Sequence, residues 1–454
     1  MGLFGILSIA DQSIAAQQTA LTVTANNIAN VNTPGYTRRV AQLAEQAPFS
    51  TQAGGGGGVQ VANVTAVRDA VLEIRLQQEN QTQSKLTSLQ QQLGPVEALF
   101  SEQGGAGLGT AIDNFFSSLQ QLSTDPSSGA QRQAAVTAAQ TMTQTFQQVS
   151  RGISQQISGA DQEVVQQVGQ ANNLTTQIAQ LNGQIADLQN AQQDTASLVD
   201  QRTNLIGQLA GLMDFNVSSG SNGQLTLTTS QGQALVVGTD AHTLTLAPNG
   251  AGNHDIYDDG VDITAGITGG GLAGMITARD QDLPGLATQL DQLATALANG
   301  VNTQNAAGFD AQGNPGGNLF AAPPAAGAAA TMSLATTDPN AIAASADGSS
   351  GDNANLLTML GLQNQPIAGG LKPDDAYAAM ISRIGSLLQG ANTQQQASQT
   401  VLSQLQNQRA SYSGVSMDEE SVKLTQFQQA YQAAARVVNV VNTLTDLAIN
   451  LGKD

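Results

Sequence analysis

"VVQQVGQANNLTTQIAQLNGQIADL", residues 164–188, sets Val164, Val168, Ala171, Leu174, Ile178, Leu181, Ile185 and Leu188 at steps of three and four. That is the apolar period of a helix packed against other helices, sustained for too long to be a strand. The stretch lies in a helical run from about 130 to 213, whose last part, "LVDQRTNLIGQLAGLM" (198–213), is expected to fold back on it. Working outward, the same period predicts helices over 69–93, ending at Gly94-Pro95, and over 109–123, ending before Asp125-Pro126. Two more are expected near 283–304 and 374–411.

Both ends of the chain continue the theme. Leu7, Ile14, Leu21 and Ile28 recur every seventh residue, with Ala10 at the complementary position and Gln17 and Thr24 filling it with polar groups. This predicts a helix with a narrow packing stripe. Its last turns carry Asn26, Asn27, Asn30 and Asn32, and Thr33-Pro34-Gly35-Tyr36 stops it. Proline drives Thr33 out of the helical basin, and Pro then Gly suits the centre of a type II turn. At the other end, Ser416 stands three residues before Glu419, a capping-box pattern. Leu424, Phe427, Tyr431, Ala434, Val438 and Val441 then form a stripe widened by Val437 and Leu444, in a helix expected to reach about Leu451. Burying Leu7, Ile14, Leu21 and Ile28 yields roughly 1.5–3 kcal/mol each. Ordering the backbone around them costs about 1–2 kcal/mol per residue before hydrogen bonding offsets part of it. Alone, such a helix is marginal, so it needs partners.

From Phe215 the period becomes two: "QLTLTT", "QALVVG" and "HTLTLA" (224–229, 233–238, 242–247) read as short strands joined by turns. The expected fold is α+β: a long-helix, coiled-coil-like body built from both N- and C-terminal segments, with an inserted β-rich module. Residues 1–40 and 413–454 form the terminal helices. Residues 41–214 and 353–412, with 276–305, form the long-helix domain, and 215–275 with about 306–352 form the β-rich module. "AAPPAAGAAA" (321–330) reads as loop and "GGGGG" (54–58) as a flexible joint.

Composition narrows the function. Charged residues make up 11% of the 454, and the net charge is −19. A phosphate backbone needs clustered Lys and Arg, so no nucleic-acid partner is expected. An anionic membrane surface needs the same clustering, and no stretch is long and apolar enough to span a bilayer. With no cysteine, disulfides and thiolate chemistry are excluded. The N-terminus has no basic region before its apolar residues, so no secretory signal peptide is expected. Abundant Gln, Asn, Ser, Thr and Ala suit wide protein–protein contacts instead.

Candidate chemistry is thin. Gly269, Gly271 and Gly274 match a dinucleotide fingerprint with Asp291 downstream, but "DITAGITGG" is a poor buried strand and no βαβ series surrounds it. "HDIYDDGVD" (254–262) gathers Asp255, Asp258, Asp259 and Asp262 without the spacing or closing Glu of an EF-hand, and reads as a solvated acidic turn. His242 and His254, the two histidines, are expected on the surface of the β module and assemble no triad. The expectation is no enzyme, no cofactor and no metal.

"NNIANVNTPGYTRR" (26–39) resembles the N-terminal signature of the axial proteins of the bacterial flagellum, the rod, hook and hook-associated family. "SGVSMDEESVKLTQFQQAYQAAARVVNVVNTL" (413–444) is similar to the C-terminal signature of its hook-associated members and lacks the run that marks hook proteins. "LVDQRTNLIGQLAGLM" and "GGLAGMITARDQDLPGLATQLDQLATALANGVN" (270–302) resemble family segments bracketing the β module. Arg39 stands where the family commonly has Gln, and the chain is shorter than the longest members.

The resemblance implies a structural junction protein that polymerises as a ring at the hook tip and links hook to filament. It is cytoplasmic before export through the flagellar type III apparatus and extracellular afterwards. Implied partners are the hook protein, the next hook-associated junction protein on the filament side, further copies of itself, and a cytoplasmic chaperone on the C-terminal helix. The terminal helices would be disordered in the monomer. The assembly interface would comprise Leu7, Ile14, Leu21, Asn26, Asn27, Ile28, Asn30, Pro34, Gly35, Tyr36, Leu424, Phe427, Tyr431, Val438, Val441 and Leu444, with the asparagines bonding neighbouring helices. Another axial protein, hook or distal rod, is the alternative within the family; a secreted adhesin or enzyme working through the β module is the alternative outside it.

Overall fold

The computed structural model describes residues 2–46, 57–102 and 107–451. Two compact units divide the chain. A terminal unit comprises 1–81, 170–243 and 398–454, and a core unit comprises 82–169 and 244–397.

The first elements are α1 (Leu3–Ala29), β1 (Arg39–Glu45), β2 (Val59–Ala66), α2 (Ala70–Leu99), α3 (Leu108–Thr124), α4 (Gly129–Asn190) and α5 (Ala196–Leu212). Short strands follow: β3 (Asn216–Ser219), β4 (Leu225–Thr228), β5 (Ala234–Val237), β6 (Asp240–Ala241), β7 (Thr245–Pro248), β8 (His254–Asp258) and β9 (Val261–Asp262). The chain then returns to helix in α6 (Gly270–Thr277), α7 (Leu283–Ala306), α8 (Ala328–Thr331), α9 (Ala354–Leu360), α10 (Pro373–Ser413) and α11 (Met417–Leu451). The α+β reading, long helices with small antiparallel sheets, holds.

In the core unit one apolar cluster gathers Phe115, Phe116, Phe146, Leu290, Leu297, Phe320 and Met380. That cluster explains why α2 does not stop where expected. It runs through Pro95 to Leu99, because Leu93, Val96 and Phe100 are buried in the cluster. The proline removes a backbone hydrogen bond, but each buried side chain returns roughly 1.5–3 kcal/mol.

Residues 306–352 carry isolated antiparallel bridges, such as Phe309↔Ser345 and Phe320↔Leu334, in place of ladders. Buried amides at the end of α7 do the pairing. The Asn302 side chain donates to the Phe320 carbonyl at 2.9 Å and accepts from the Leu319 and Phe320 amides, each at 2.9 Å. Asn305 donates to the Gly317 carbonyl at 2.8 Å and that of Ala341 at 3.0 Å, and accepts from Ala343 at 2.8 Å. The glycine motif has a packing role, since a side chain at Gly274 would strike the carbonyl of Lys85.

β7, β8 and β9 form an antiparallel sheet in this unit, with Thr245↔Tyr257 and Tyr257↔Asp262 in register. The acidic stretch is that sheet's hairpin; Asp259 and Asp262 are exposed, as a solvated turn requires, while Asp255 and Asp258 turn inward. Asp258 is buried, Asp262 accepts from the Thr264 amide at 2.9 Å, and Asp255 lies 3.8 Å from Arg279.

The terminal unit holds a second antiparallel sheet, β3-β4-β5-β6, and a ladder absent from the sequence reading, β1-β2, registered from Arg39↔Ala66 to Glu45↔Val59. Its signal was present in the density of β-branched residues, Val59, Val61, Val64 and Thr65. Most of the glycine joint between these strands lies outside the described residues. Within this unit the buried face of α4 passes through Ala171, Thr175, Ile178, Asn182 and Ile185, leaving Leu174 and Leu181 half-buried. Asn182 takes the inner place because it has four partners. It donates to the Leu225 and Gly238 carbonyls at 2.8 and 2.7 Å and accepts from Arg202 at 2.6 Å and the Leu225 amide at 3.2 Å.

Candidate assembly interface

The two end segments meet in the terminal unit. Asn27, near the end of α1, contacts Glu420, in the first turn of α11, and the helices pack along each other from there, so they run antiparallel. The seam is built from small and polar residues: Ala10, Ala16, Gln17, Ala20, Val23, Thr24 and Asn27 on α1, with Glu420, Ala434 and Val441 on α11. Alanines allow close approach but bury little apolar area.

Among the anticipated contact residues, Val441 and Asn27 are buried. Leu7, Ile14, Leu21, Ile28, Leu424, Phe427, Tyr431 and Val438 are half-buried, as are Asn30 and Tyr36. Asn26, Pro34, Gly35 and Leu444 are exposed.

The asparagines divide. Asn27 is saturated within its own chain. Its Nδ2 donates to the Arg39 carbonyl and to Glu420 Oε2, both at 2.8 Å. Its Oδ1 accepts from the Tyr36 hydroxyl at 2.9 Å and the Arg39 amide at 3.0 Å. Asn30 caps the helix, donating to the Asn26 carbonyl at 2.9 Å and accepting from the Thr33 hydroxyl at 3.1 Å. Gly35, at φ +81°, closes the turn with the Tyr36 amide donating to the Thr33 carbonyl at 3.2 Å. Only glycine adopts that φ without strain, as a type II turn requires. Asn26 and Asn32 keep their side chains in solvent.

Arg39 extends this network to α5. It lies 3.6 Å from both Asp194 and Asp200, with its guanidinium 5.3 Å above the Tyr36 ring. Arg68, just past β2, also grips Asp200 and donates to Thr203 at 2.8 Å. Arg38 reaches Glu419 at 3.0 Å. Burial pushes the Tyr36 phenol above its ordinary range against the opposing charge of Arg39, which keeps it a hydrogen-bond donor. Burial, and then the charge of Arg68, pushes Arg202 down to about 10.

The outer surface of α11 is apolar. Val422, Val437, Val440, Leu444, Leu447 and Ile449 are exposed there, and Phe4 and Ile6 on α1. Monomeric proteins rarely leave such a row uncovered. A cleft of about 440 Å³ beside the turn is lined by Asn26, Asn30, Pro34, Tyr36, Arg39 and Asp200.

Sequence reasoning missed a buried ion cluster in the core unit. Arg279, on a π-helical turn between α6 and α7, is fully enclosed and donates to Asp161 at 2.7 Å, Asp280 at 2.7 and 2.8 Å, and the His254 carbonyl at 2.7 Å. His254, on β8, keeps its ring partly exposed, as expected, and is held to Asp161 at 2.7 Å. The Asp-Arg-Asp spacing carries no periodic signal that could have marked it.

Residues 93–320 match the family described as flagellar hook-associated protein FlgK helical domain. Residues 11–37 match the flagella basal body rod protein family, and 406–451 the C-terminal family of the flagellar basal body rod FlgEFG proteins. Flagellar hook-associated protein 1 of Escherichia coli is 29% identical over 545 aligned residues, covering 98% of this chain and 99% of the relative. The protein of the same name from Bacillus subtilis is 29% identical over 493, covering 98% and 97%. A solved structure titled as the flagellar hook junction protein FlgK from Burkholderia pseudomallei superposes with a TM-score of 0.67 at 20% identity, over 75% of this chain and 100% of that one. That likeness is of fold.

Proposed function

The chain belongs to the FlgK family of flagellar hook-associated proteins, and from that premise we propose that it is the structural subunit joining hook to filament. Copies assemble through the paired terminal helices at the hook tip, meeting the hook on one side and the next hook-associated protein on the other. The observation that carries this reading is the apolar row on the outer surface of α11, Val437 through Ile449, which has no cover within the chain's described residues. Neighbouring copies would cover it, and before export a chaperone would. The chain acts as structure rather than as catalyst.

In a free copy the terminal segments are the least held part, because their seam buries alanines and amides in place of large side chains. Limited proteolysis of the purified chain should trim about 40–60 residues from each end before the remainder is cut. The decisive test is genetic. Deleting the gene should leave hooks without filaments and spill filament subunit into the medium. Phe427→Asp or Tyr431→Asp should reproduce that phenotype while leaving the core unit folded. Normal swimming of either variant would refute assembly through these helices.

A further inference from the structure

Charge is scarce on the terminal helices, and the one unpaired cation stands opposite the one anion of α1. Asp11 is the sole charged residue of α1. On α11, Glu420 is used by Asn27 and Lys423, and Glu419 by Arg38. Arg436 is the one cation of that helix outside these pairs. Among the described residues, neither Asp11 nor Arg436 makes an ion pair or side-chain hydrogen bond, and both are exposed.

Their positions follow from helix geometry. Asn27 and Glu420 mark one level of the antiparallel pair. Asp11 lies sixteen residues before Asn27, and Arg436 sixteen after Glu420. At 1.5 Å and 100° per residue, both stand about 24 Å from the contact and about 160° round from it. They therefore share a level and point away from the seam on opposite sides, an anion beyond α1 and a cation beyond α11. A surface with unlike halves on opposite flanks is self-complementary only head to tail, the kind of contact that closes rings or builds helices.

We propose that Arg436 of each copy pairs with Asp11 of the next, and that this contact fixes the side-by-side level of neighbouring subunits. The inference rests on the assembly reading above and names the contact within it. Val437 and Val440, exposed beside Arg436, would be covered by the neighbour's α1 and would exclude water from the pair, which is what gives a surface ion pair more than its usual small worth. Asp446, the other unpaired carboxylate toward the end of α11, lies ten residues on, about 15 Å from the level of Arg436.

Charge reversal tests this in a strain lacking its own copy, complemented by the full chain. Arg436→Asp and Asp11→Arg should each reduce swimming to the level of the deletion strain. The double variant Asp11→Arg with Arg436→Asp should restore it. Circular dichroism and melting of each purified variant should match the parent. Singles that swim like the parent, or a double that stays immotile, would overturn the pairing. So would rescue of Arg436→Asp by Asp446→Arg in place of Asp11→Arg. These results are separable from failure of the assembly reading, in which Phe427→Asp would also swim. Because the chain has no cysteine, Asp11→Cys with Arg436→Cys gives a second readout. Oxidised hook preparations should show a ladder of linked copies, and a monomer band alone would count against the contact.

Discussion

The apolar cluster of the core unit and the α1–α11 seam of the terminal unit solve the problem of burial differently. The core unit packs large side chains, with Phe115 set edge-on to Phe116 at 5.3 Å and to Phe320 at 5.8 Å. The terminal unit buries Ile178, Leu209, Leu227 and Leu235 as well, but its α1–α11 seam packs alanines, and polar contacts of Asn27, Asn182, Arg202 and the carboxylates on Arg39 and Arg68 fix its geometry. Apolar burial gives stability that tolerates small displacements. Hydrogen-bonded networks give less net stability but demand one geometry. A subunit whose ends must take a defined place among copies gains from the second, provided the first keeps a folded body behind it.

The contrast breaks most visibly at its strongest points. Phe115→Ala should cost about 3–5 kcal/mol, and thermal melting should show the loss in the core unit. Arg279→Met should be comparable or worse, because it leaves the buried Asp161 without its counterion. A melting temperature unchanged by either would mean that the enclosed cluster is not what holds this unit.

Next in size is Asn27→Ala, which strands Glu420, the Tyr36 hydroxyl and the Arg39 backbone at once, each unsatisfied group costing about 1–3 kcal/mol. The loss should be local. Hydrogen exchange should accelerate at 26–40 and 417–424 and stay at parent rates through α3 and α7. Uniform acceleration would show that the ends are not separately held.

How much of this was legible follows the same division. Wherever apolar side chains do the work, the period announced the helix: α4, α7, α10 and both terminal stripes. Where polar groups do it, period gave nothing or misled. Leu174 and Leu181 looked like the inner face, yet Thr175 and Asn182 take it: Thr175 satisfies its hydroxyl on the Asn172 carbonyl of its own helix, and Asn182 finds partners supplied by distant segments. Residues 306–352 looked like strands because Asn302 and Asn305, which replace the ladder, lie on a helix elsewhere. Asn27 was expected to bond neighbouring helices, but which partners it would meet was not legible: Arg39, Tyr36 and, on α11, Glu420 converge on it only when the chain doubles back. Pro95 marked a helix end by local rule, and the core overrode it.

Acid should loosen the core unit through Asp161. Burial alone would raise its carboxyl, but hydrogen bonds from the His254 backbone and ring, and then the charge of Arg279, win and hold it below the ordinary range. A depressed folded value means the contribution is fully present above the unfolded value near 3.9 and is lost as pH falls through the folded one. Denaturant melts should therefore be flat in this respect from neutrality to about pH 4.5 and weaken below it. Asp161→Asn should be less stable at neutral pH and less sensitive to acid. An unaltered acid slope in that variant would place the acid response elsewhere.

The smallest effect sharpens the comparison rather than breaking it. Gly385 in α10 and Gly207 in α5 are helical, and a methyl group at either meets nothing within 4 Å. Alanine reduces the freedom of the unfolded chain equally at both, so each should stabilise its helix by about 0.5–1 kcal/mol. Their readouts should differ. Gly385 lies in the core unit and Gly207 in the terminal unit. Gly385→Ala should raise the main melting temperature, whereas Gly207→Ala should slow exchange around α5 and the Arg68–Asp200 contact and leave that temperature nearly unmoved. If both variants shift the same single transition equally, the units unfold as one cooperative body, and the terminal network contributes to global stability after all.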